Sequence, residues 1–191
     1  MSWSTGAFAF LHLSPQCTER VQRFLRDECG LPSDKLVDDP HLTVYHARRP
    51  LPNLRPCVTE STIRADVLET RFMVMAPGGE NPRPELNPSR RSIGLRLTRR
   101  NAAIPKIQDL RAEFFKYETP RVLGSRAPST AWSNAFGARH YQPHITLLRP
   151  RPKVPVNLRE LGELFRQQVQ SLEFDRFEIK LVSRREYESR A

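Results

Sequence analysis

Two short stretches with the same pattern decide the fold of this chain: Pro40-His41-Leu42-Thr43-Val44 and Pro143-His144-Ile145-Thr146-Leu147. Each is an apolar run of the length that forms a buried strand. Residues two apart on a strand point to the same face, so the histidine and the threonine of each stretch project together. Each stretch follows a strand, a helix and a loop, which indicates an internal repeat.

The elements before each stretch follow from periodicity and capping residues. The first half opens with a strand that ends at Leu13, and Ser14-Pro15 predicts a helix start that Gly30 later closes. In the second half, residues 93–97 predict a strand, and residues 103–117 predict an amphipathic helix. The order of elements predicts an α+β fold with antiparallel pairing.

The remaining segments complete this prediction. Residues 65–75 are interpreted as one long strand, and residues 77–92 as a surface loop. Residues 119–142 form a long connection of the kind that serves as a lid or a binding loop. Asn157 begins a third helix, and residues 177–181 alternate as a last strand.

The length and the charge limit the class of protein. The 191 residues form a single domain, 1–191, whose two lobes cover roughly 7–76 and 92–182. The chain has 31 Lys and Arg against 21 Asp and Glu, a net charge of +10, and 26 of its basic residues are arginine. This excess indicates either a polyanionic partner, with nucleic acid first, or a merely solvated basic surface.

Membrane, secreted and zinc-binding classes are disfavoured. No apolar run has the ~20 residues of a membrane span, and no export signal is recognised, so we expect a soluble protein with no membrane partner. The cysteines Cys17, Cys29 and Cys57 show no C-x-x-C spacing. A disulfide framework is not expected, and a cytoplasmic location is predicted.

The paired histidines and threonines suit chemistry at phosphorus. If the halves are related by a pseudo-twofold axis, both stretches meet at one site. Cleavage of a phosphodiester needs one proton removed and another delivered, and histidine can do either near neutral pH. Threonine hydroxyls can donate hydrogen bonds to the non-bridging oxygens. This scheme needs no metal and no cofactor.

These units resemble the two-histidine (2H) phosphoesterase superfamily, in particular its bacterial 2′-5′ RNA ligase and cyclic phosphodiesterase group. The segment from Tyr141 to Pro150 is similar to the second motif of that group, and Pro40 to Tyr45 to the first. The resemblance implies a bilobed α+β fold, with two pseudo-symmetric lobes of antiparallel sheet and flanking helices around a central cleft. It implies metal-independent action on 2′,3′-cyclic phosphates or 2′-5′ linkages of RNA or oligonucleotides. The implied catalytic residues are His41, Thr43, His144 and Thr146.

Several aromatic residues are candidates for contact with a base. Phe10 on the first strand and Tyr141 on the long connection can stack on a nucleobase or serve in packing, and so can Trp132. Arg96 can reach the site or lie in solvent. Arg149 is out of phase with the second histidine, so direct contact with a phosphate is not expected.

The other histidines are interpreted as structural or surface residues. They are His12, His46 and His140, and simple alternation points His46 away from His41. A zinc site made from His41, His46 and His140 matches no metal-binding spacing.

A second hypothesis is a binding module that holds RNA ends or a signalling oligonucleotide without turnover. The sequence leaves the individual substrate open, and also whether the reaction runs as hydrolysis or ligation. A monomer is predicted, because the repeat supplies both halves of the site.

Overall fold

The computed structural model describes residues 4–47, 51, 53–75, 92–117, 141–149 and 157–183. These residues form seven strands and three α-helices, which confirms the predicted α+β class with antiparallel pairing. The elements in chain order are β1 (Ser4–Leu13), α1 (Pro15–Arg23), β2 (His41–Ala47), β3 (Cys57–Asp66), β4 (Thr70–Met75), β5 (Ser92–Leu97), α2 (Ala103–Phe115), β6 (His144–Leu148), α3 (Leu158–Gln168) and β7 (Ser171–Ser183).

Local sequence signals start two of the helices, α1 and α3, as predicted. The Ser14 hydroxyl accepts a hydrogen bond from the backbone N–H of Cys17, and proline occupies the first turn of α1. A π-helical turn over Phe24–Glu28 continues α1 before Gly30 takes a positive φ of 63°. The Asn157 side chain likewise accepts from the Arg159 N–H at the start of α3. These caps satisfy donors that each helix start leaves unpaired.

All seven strands belong to one antiparallel sheet in the order β3-β7-β1-β2-β6-β5-β4. The two halves of the repeat meet where β2 pairs with β6. The lobes predicted at 7–76 and 92–182 therefore need a correction, because β4 pairs with β5 and β7 pairs with β1 and β3. Each half gives one strand to the other half's side of the sheet, and the pairing of β2 with β6 joins the two sides.

The segment predicted as one strand over residues 65–75 is two strands. A 3₁₀ turn over Val67–Glu69 separates β3 from β4, and the Asp66 side chain accepts a hydrogen bond from the Leu68 N–H at its start. The turn breaks the alternation and sends the chain from one end of the sheet to the other.

The helices pack on one face of the sheet, where the core lies. Phe165 of α3 makes edge contacts with Phe72 of β4 and with Phe24, both at 5.2 Å between ring centroids. On α2, Phe114 stacks on the buried Tyr45 of β2 at 4.8 Å. The strands send their alternate side chains to the opposite face, which carries the histidine-threonine motifs. No helix in the described ranges is long and apolar enough to cross a membrane.

Candidate active site

The pairing of β2 with β6 brings the two motifs together. Leu42 lies opposite Ile145 in antiparallel register, and both side chains are fully buried. In such a ladder the residues on either side of this pair also lie opposite each other, and they project from the other face. Each motif's imidazole therefore faces the other motif's hydroxyl. We call this group the His-Thr array, and its members are His41, Thr43, His144 and Thr146.

The two imidazoles of the array are diagonal neighbours across the pair of strands. Diagonal neighbours lie about 7–8 Å apart in an antiparallel ladder. All four members of the array are partly exposed on a face that the three helices leave open. A tetrahedral phosphorus centre can occupy the space between two groups at this separation, with an imidazole on each side.

Both histidines are held by the same backbone contact. His41 Nδ1 lies 2.9 Å from the carbonyl oxygen of Asp39, and His144 Nδ1 lies 2.8 Å from that of Gln142. A carbonyl only accepts, so each Nδ1 carries a proton and donates it. In the neutral ring this fixes the tautomer in which Nε2 holds the lone pair, and in the protonated ring Nε2 carries the proton that can be transferred. The same contact, two residues back in each half, shows that the repeat extends to the orientation of the rings.

The surroundings of His144 favour its neutral form. Burial lowers the pKa of this imidazole, and the positive charge of Arg96 lowers it further, whereas the hydrogen bond to the Gln142 carbonyl raises it. Arg96 lies directly opposite His144 in the register of β5 with β6. Arg96 therefore reaches the site, which was one of the two possibilities that the sequence left open.

His12 belongs to the site, although the sequence suggested a structural or surface role. It lies opposite His41 in the register of β1 with β2, and the ring centroids are 5.6 Å apart. Its Nδ1 lies 3.0 Å from a carboxylate oxygen of Asp39, and its Nε2 lies 2.8 Å from Glu178 Oε2. The two contacts are both hydrogen bonds only when both ring nitrogens carry protons. His12 thus links Glu178 to the residue whose carbonyl orients His41.

The side chains of His12, Asp39 and His41 offer a possible set of metal ligands. One ligand atom from each lies within 4.8 Å of the others. His12 and Asp39 already bond to each other, so a metal ion has to displace that hydrogen bond. The zinc site considered from the sequence used His46 and His140 instead, and His140 lies outside the described residues.

A β-bulge changes the predicted direction of His46. The register between β1 and β2 shifts by one residue after Thr43, and both Val44 and Tyr45 are buried. The extra residue returns His46 to the face of the His-Thr array. The prediction that His46 points away from His41 is therefore wrong.

The aromatic residues of β1 form one wall of the site. The ring of Phe10 meets His41 edge-on at 4.5 Å and stacks with Phe8 at 5.4 Å. Phe8 in turn stacks on His46 at 4.0 Å. Phe10 is only 6% exposed, so its observed role is to pack beside His41. Stacking of Phe10 on a base stays a prediction.

Tyr141 supports the array through a hydrogen bond to the backbone of β2. Its hydroxyl donates to the carbonyl oxygen of Thr43 at 2.8 Å, and burial raises its pKa, so the phenol keeps the proton that it donates. The Arg111 guanidinium lies 4.2 Å from the centre of the Tyr141 ring and donates to the Val44 carbonyl at 3.0 Å. Arg111 covers one face of the ring that base stacking would need. This buried arginine was not identified from the sequence, because it lies on the apolar side of a helix.

Replacement of Arg111 by alanine should lower the free energy of unfolding by about 3 kcal/mol, because a buried charge-assisted hydrogen bond and its packing are lost. The melting temperature measured by circular dichroism should fall by about 6–12 °C. Arg159→Ala is the matched control, since that side chain is 87% exposed and should change little. Equal melting temperatures for the two variants would show that the contacts of Arg111 with the Val44 carbonyl and the Tyr141 ring do not stabilise the fold.

Two further candidates from the sequence are Arg149 and Trp132. Arg149 donates to the Leu36 carbonyl at 2.9 Å and pairs with Asp38, which agrees with the expectation that it does not contact a phosphate directly. Trp132 lies outside the described residues, as does most of the long connection that carries it.

A groove of about 610 Å³ lies beside His12, at the end of β1. Neither histidine of the array lines it. Its charged lining is mostly acidic, with one arginine, and it consists of Glu19, Asp38, Asp39, Glu60, Asp175 and Arg176. This charge is wrong for a phosphate, so the open face beside His144 suits an anionic substrate better than the groove does.

No protein-family model matches the chain, and no curated protein matches it. Among solved structures, Kluyveromyces marxianus Usb1 is similar in its chain path, with a TM-score of 0.46 and 10% sequence identity over 93% of this chain and 94% of that one. A likeness this distant carries no information about activity.

Proposed function

We propose that this protein is a metal-independent phosphoesterase that cleaves 2′,3′-cyclic phosphate or 2′-5′ phosphodiester linkages of RNA or oligonucleotides. The observation that carries the proposal is the His-Thr array, in which two imidazoles have the same tautomer and face one space between paired strands. The resemblance of both motifs to the 2H phosphoesterases supports the same chemistry. A monomeric state and a cytoplasmic location stay predictions.

The two histidines have different surroundings, and this difference assigns their roles. Burial and Arg96 favour the neutral form of His144, which suits a general base that takes a proton from the attacking water. His41 lies beside His12 and the Asp39 carboxylate that His12 binds, which suits a general acid that delivers a proton to the leaving ribose oxygen. One P–O bond forms and one breaks, and proton exchange with solvent resets both rings.

The remaining members of the array act on the non-bridging oxygens. Thr43 lies opposite Phe10, and Thr146 lies opposite Gly94, which has no side chain to fill the space next to the hydroxyl. Both hydroxyls can donate to phosphoryl oxygens whose negative charge grows in the transition state. The Arg96 guanidinium adds positive charge on the side of the base. No step requires a metal ion.

The direct test incubates the purified full chain with a nucleoside 2′,3′-cyclic phosphate, an RNA oligonucleotide that ends in a 2′,3′-cyclic phosphate, and a 2′-5′-linked dinucleotide. Mass spectrometry should detect a product of hydrolysis from at least one substrate, with and without EDTA. An all-DNA oligonucleotide is the control, because it has no 2′-hydroxyl. Binding without a product from any substrate would favour the binding module instead. Loss of activity in EDTA would contradict the metal-independent mechanism.

A further inference from the structure

Two arginines lie face to face beside the His-Thr array. Arg96 of β5 is opposite His144, and Arg71 of the edge strand β4 is opposite Arg96. Directly paired residues project from the same face of a sheet. One row of side chains therefore runs from His144 to the edge of the sheet, and its last two members are guanidinium groups.

This arginine pair has no carboxylate partner in the described part of the chain. Many other exposed arginines do, including Arg23 with Glu19 and Arg64 with Glu173. Like charges directly opposite each other on a sheet destabilise it. The fold thus keeps two cations together at a cost, and an anion between them removes that cost.

The two sides of the site face differ in charge. On the side of His41, the carboxylates of Asp39 and Glu178 flank His12, and β7 presents Arg176 and Lys180 on the same face, with Arg176 3.6 Å from Asp39. On the side of His144, the row continues through Arg96 and Arg71. A polyanion with one phosphate at the array therefore meets mixed charge on the β7 side and two neighbouring cations on the β4 side, which favours the β4 side.

The distances suit a neighbouring phosphate. Strands lie about 4.8 Å apart, so the backbone of Arg71 is about 10 Å from that of His144. Long arginine side chains can close on an anion within that span, and the planar guanidinium binds phosphate through two parallel hydrogen bonds.

We propose that Arg71 and Arg96 form a second phosphate site, which binds the phosphate next to the scissile one in a single-stranded oligonucleotide. The inference rests on the proposed function for the position of the scissile phosphate. It narrows the substrate class, because a mononucleoside cyclic phosphate has no second phosphate to fill the site.

The test measures binding separately from turnover. A short, fluorescein-labelled RNA with a 2′-O-methyl group on every residue cannot form a cyclic phosphate, and its binding is followed by fluorescence anisotropy at several salt concentrations. Arg71→Gln and Arg96→Gln should each raise Kd about tenfold. Each should also reduce the slope of log Kd against log salt by about 0.7, the value for one contact with a single strand.

The double variant and a matched control make the test specific. Because both guanidiniums bind one phosphate, Arg71→Gln/Arg96→Gln should raise Kd by less than the product of the single effects. Arg159→Gln removes an exposed arginine from α3, and it should leave Kd and the slope unchanged. The free Arg71→Gln protein should melt about 1–3 °C higher than the wild type, because the repulsion is relieved.

The outcomes separate this site from the proposed function. If wild-type protein does not bind the oligonucleotide, or if Arg71→Gln binds it with the same Kd and slope as Arg159→Gln, the second phosphate site is overturned. If those changes appear as expected but no substrate is cleaved, the site stands and the phosphoesterase proposal fails.

Discussion

Replacement of His41 or His144 by alanine should lower kcat by about 10²–10⁴-fold, because each imidazole transfers a proton that alanine cannot replace. The two side chains are partly exposed on an open sheet face, so neither change removes core packing. The circular dichroism spectrum and the melting temperature should stay close to those of the wild type. The measurement is turnover of the best substrate from the oligonucleotide panel.

The double variant tests whether the two histidines act together. Residues that act as one unit have non-additive effects, so His41→Ala/His144→Ala should cost little more than the worse single change. His46→Ala is the matched control, since the bulge places this histidine on the same face outside the array. Near-wild-type turnover in both single variants would exclude acid-base catalysis by this pair.

The pH profile checks which histidine is the base. The rate should fall at low pH when the base gains a proton and at high pH when the acid loses one. Since burial and Arg96 lower the pKa of His144, the acidic limb should lie below the ordinary histidine value of about 6.5. Arg96→Gln should move this limb to higher pH. The two limbs of the pH profile report on the coupled pair of histidines together. The assignment of His144 as the base therefore rests on the shift of the acidic limb between the wild type and Arg96→Gln.

The placement of the His-Thr array was predictable because it depends on local rules and one repeat. Alternation along a strand puts each histidine beside its threonine, and the matching position in both halves predicts that the two strands meet. The observed β6, His144–Leu148, contains the histidine and the threonine of the second stretch, as predicted. The structure adds the backbone contact at each Nδ1, which repeats at the same spacing in both halves.

The exchange of β4 and β7 was not predictable, because strand order is set by contacts between distant segments. Residues 65–75 are interpreted from the sequence as one strand because the short turn over Val67–Glu69 contains no glycine or proline that would indicate a break. Similarly, the bulge at Val44 and Tyr45 has no glycine, so simple alternation gave the wrong direction for His46. Arg111 was missed because one polar residue on an apolar helix face gives no hint of its acceptor.

His12 was missed for the same reason, and its contacts predict a large effect. Its two carboxylate partners lie 27 and 166 residues away in the sequence, so no local pattern connects them. His12→Ala should lower kcat about 10–100-fold, with little change in KM. Without the ring, the Asp39 side chain keeps its longer contact with Arg176, at 3.6 Å, but the carbonyl that orients His41 is less firmly held. A displacement of about 1 Å at a catalytic group can cost about 10²-fold.

The pH profile distinguishes this positioning role from a purely structural one. Loss of His12 should change the alkaline limb, which depends on the acid His41, and leave the acidic limb of His144 in place. Asp39→Asn keeps both the backbone carbonyl and a side-chain oxygen that can accept from His12, so its loss of kcat should be smaller. His46→Ala again serves as the control for removal of a histidine from this face. If His12→Ala keeps the wild-type kcat and both limbs, then the chain from Glu178 through His12 and Asp39 does not position His41, and the backbone contact alone is sufficient.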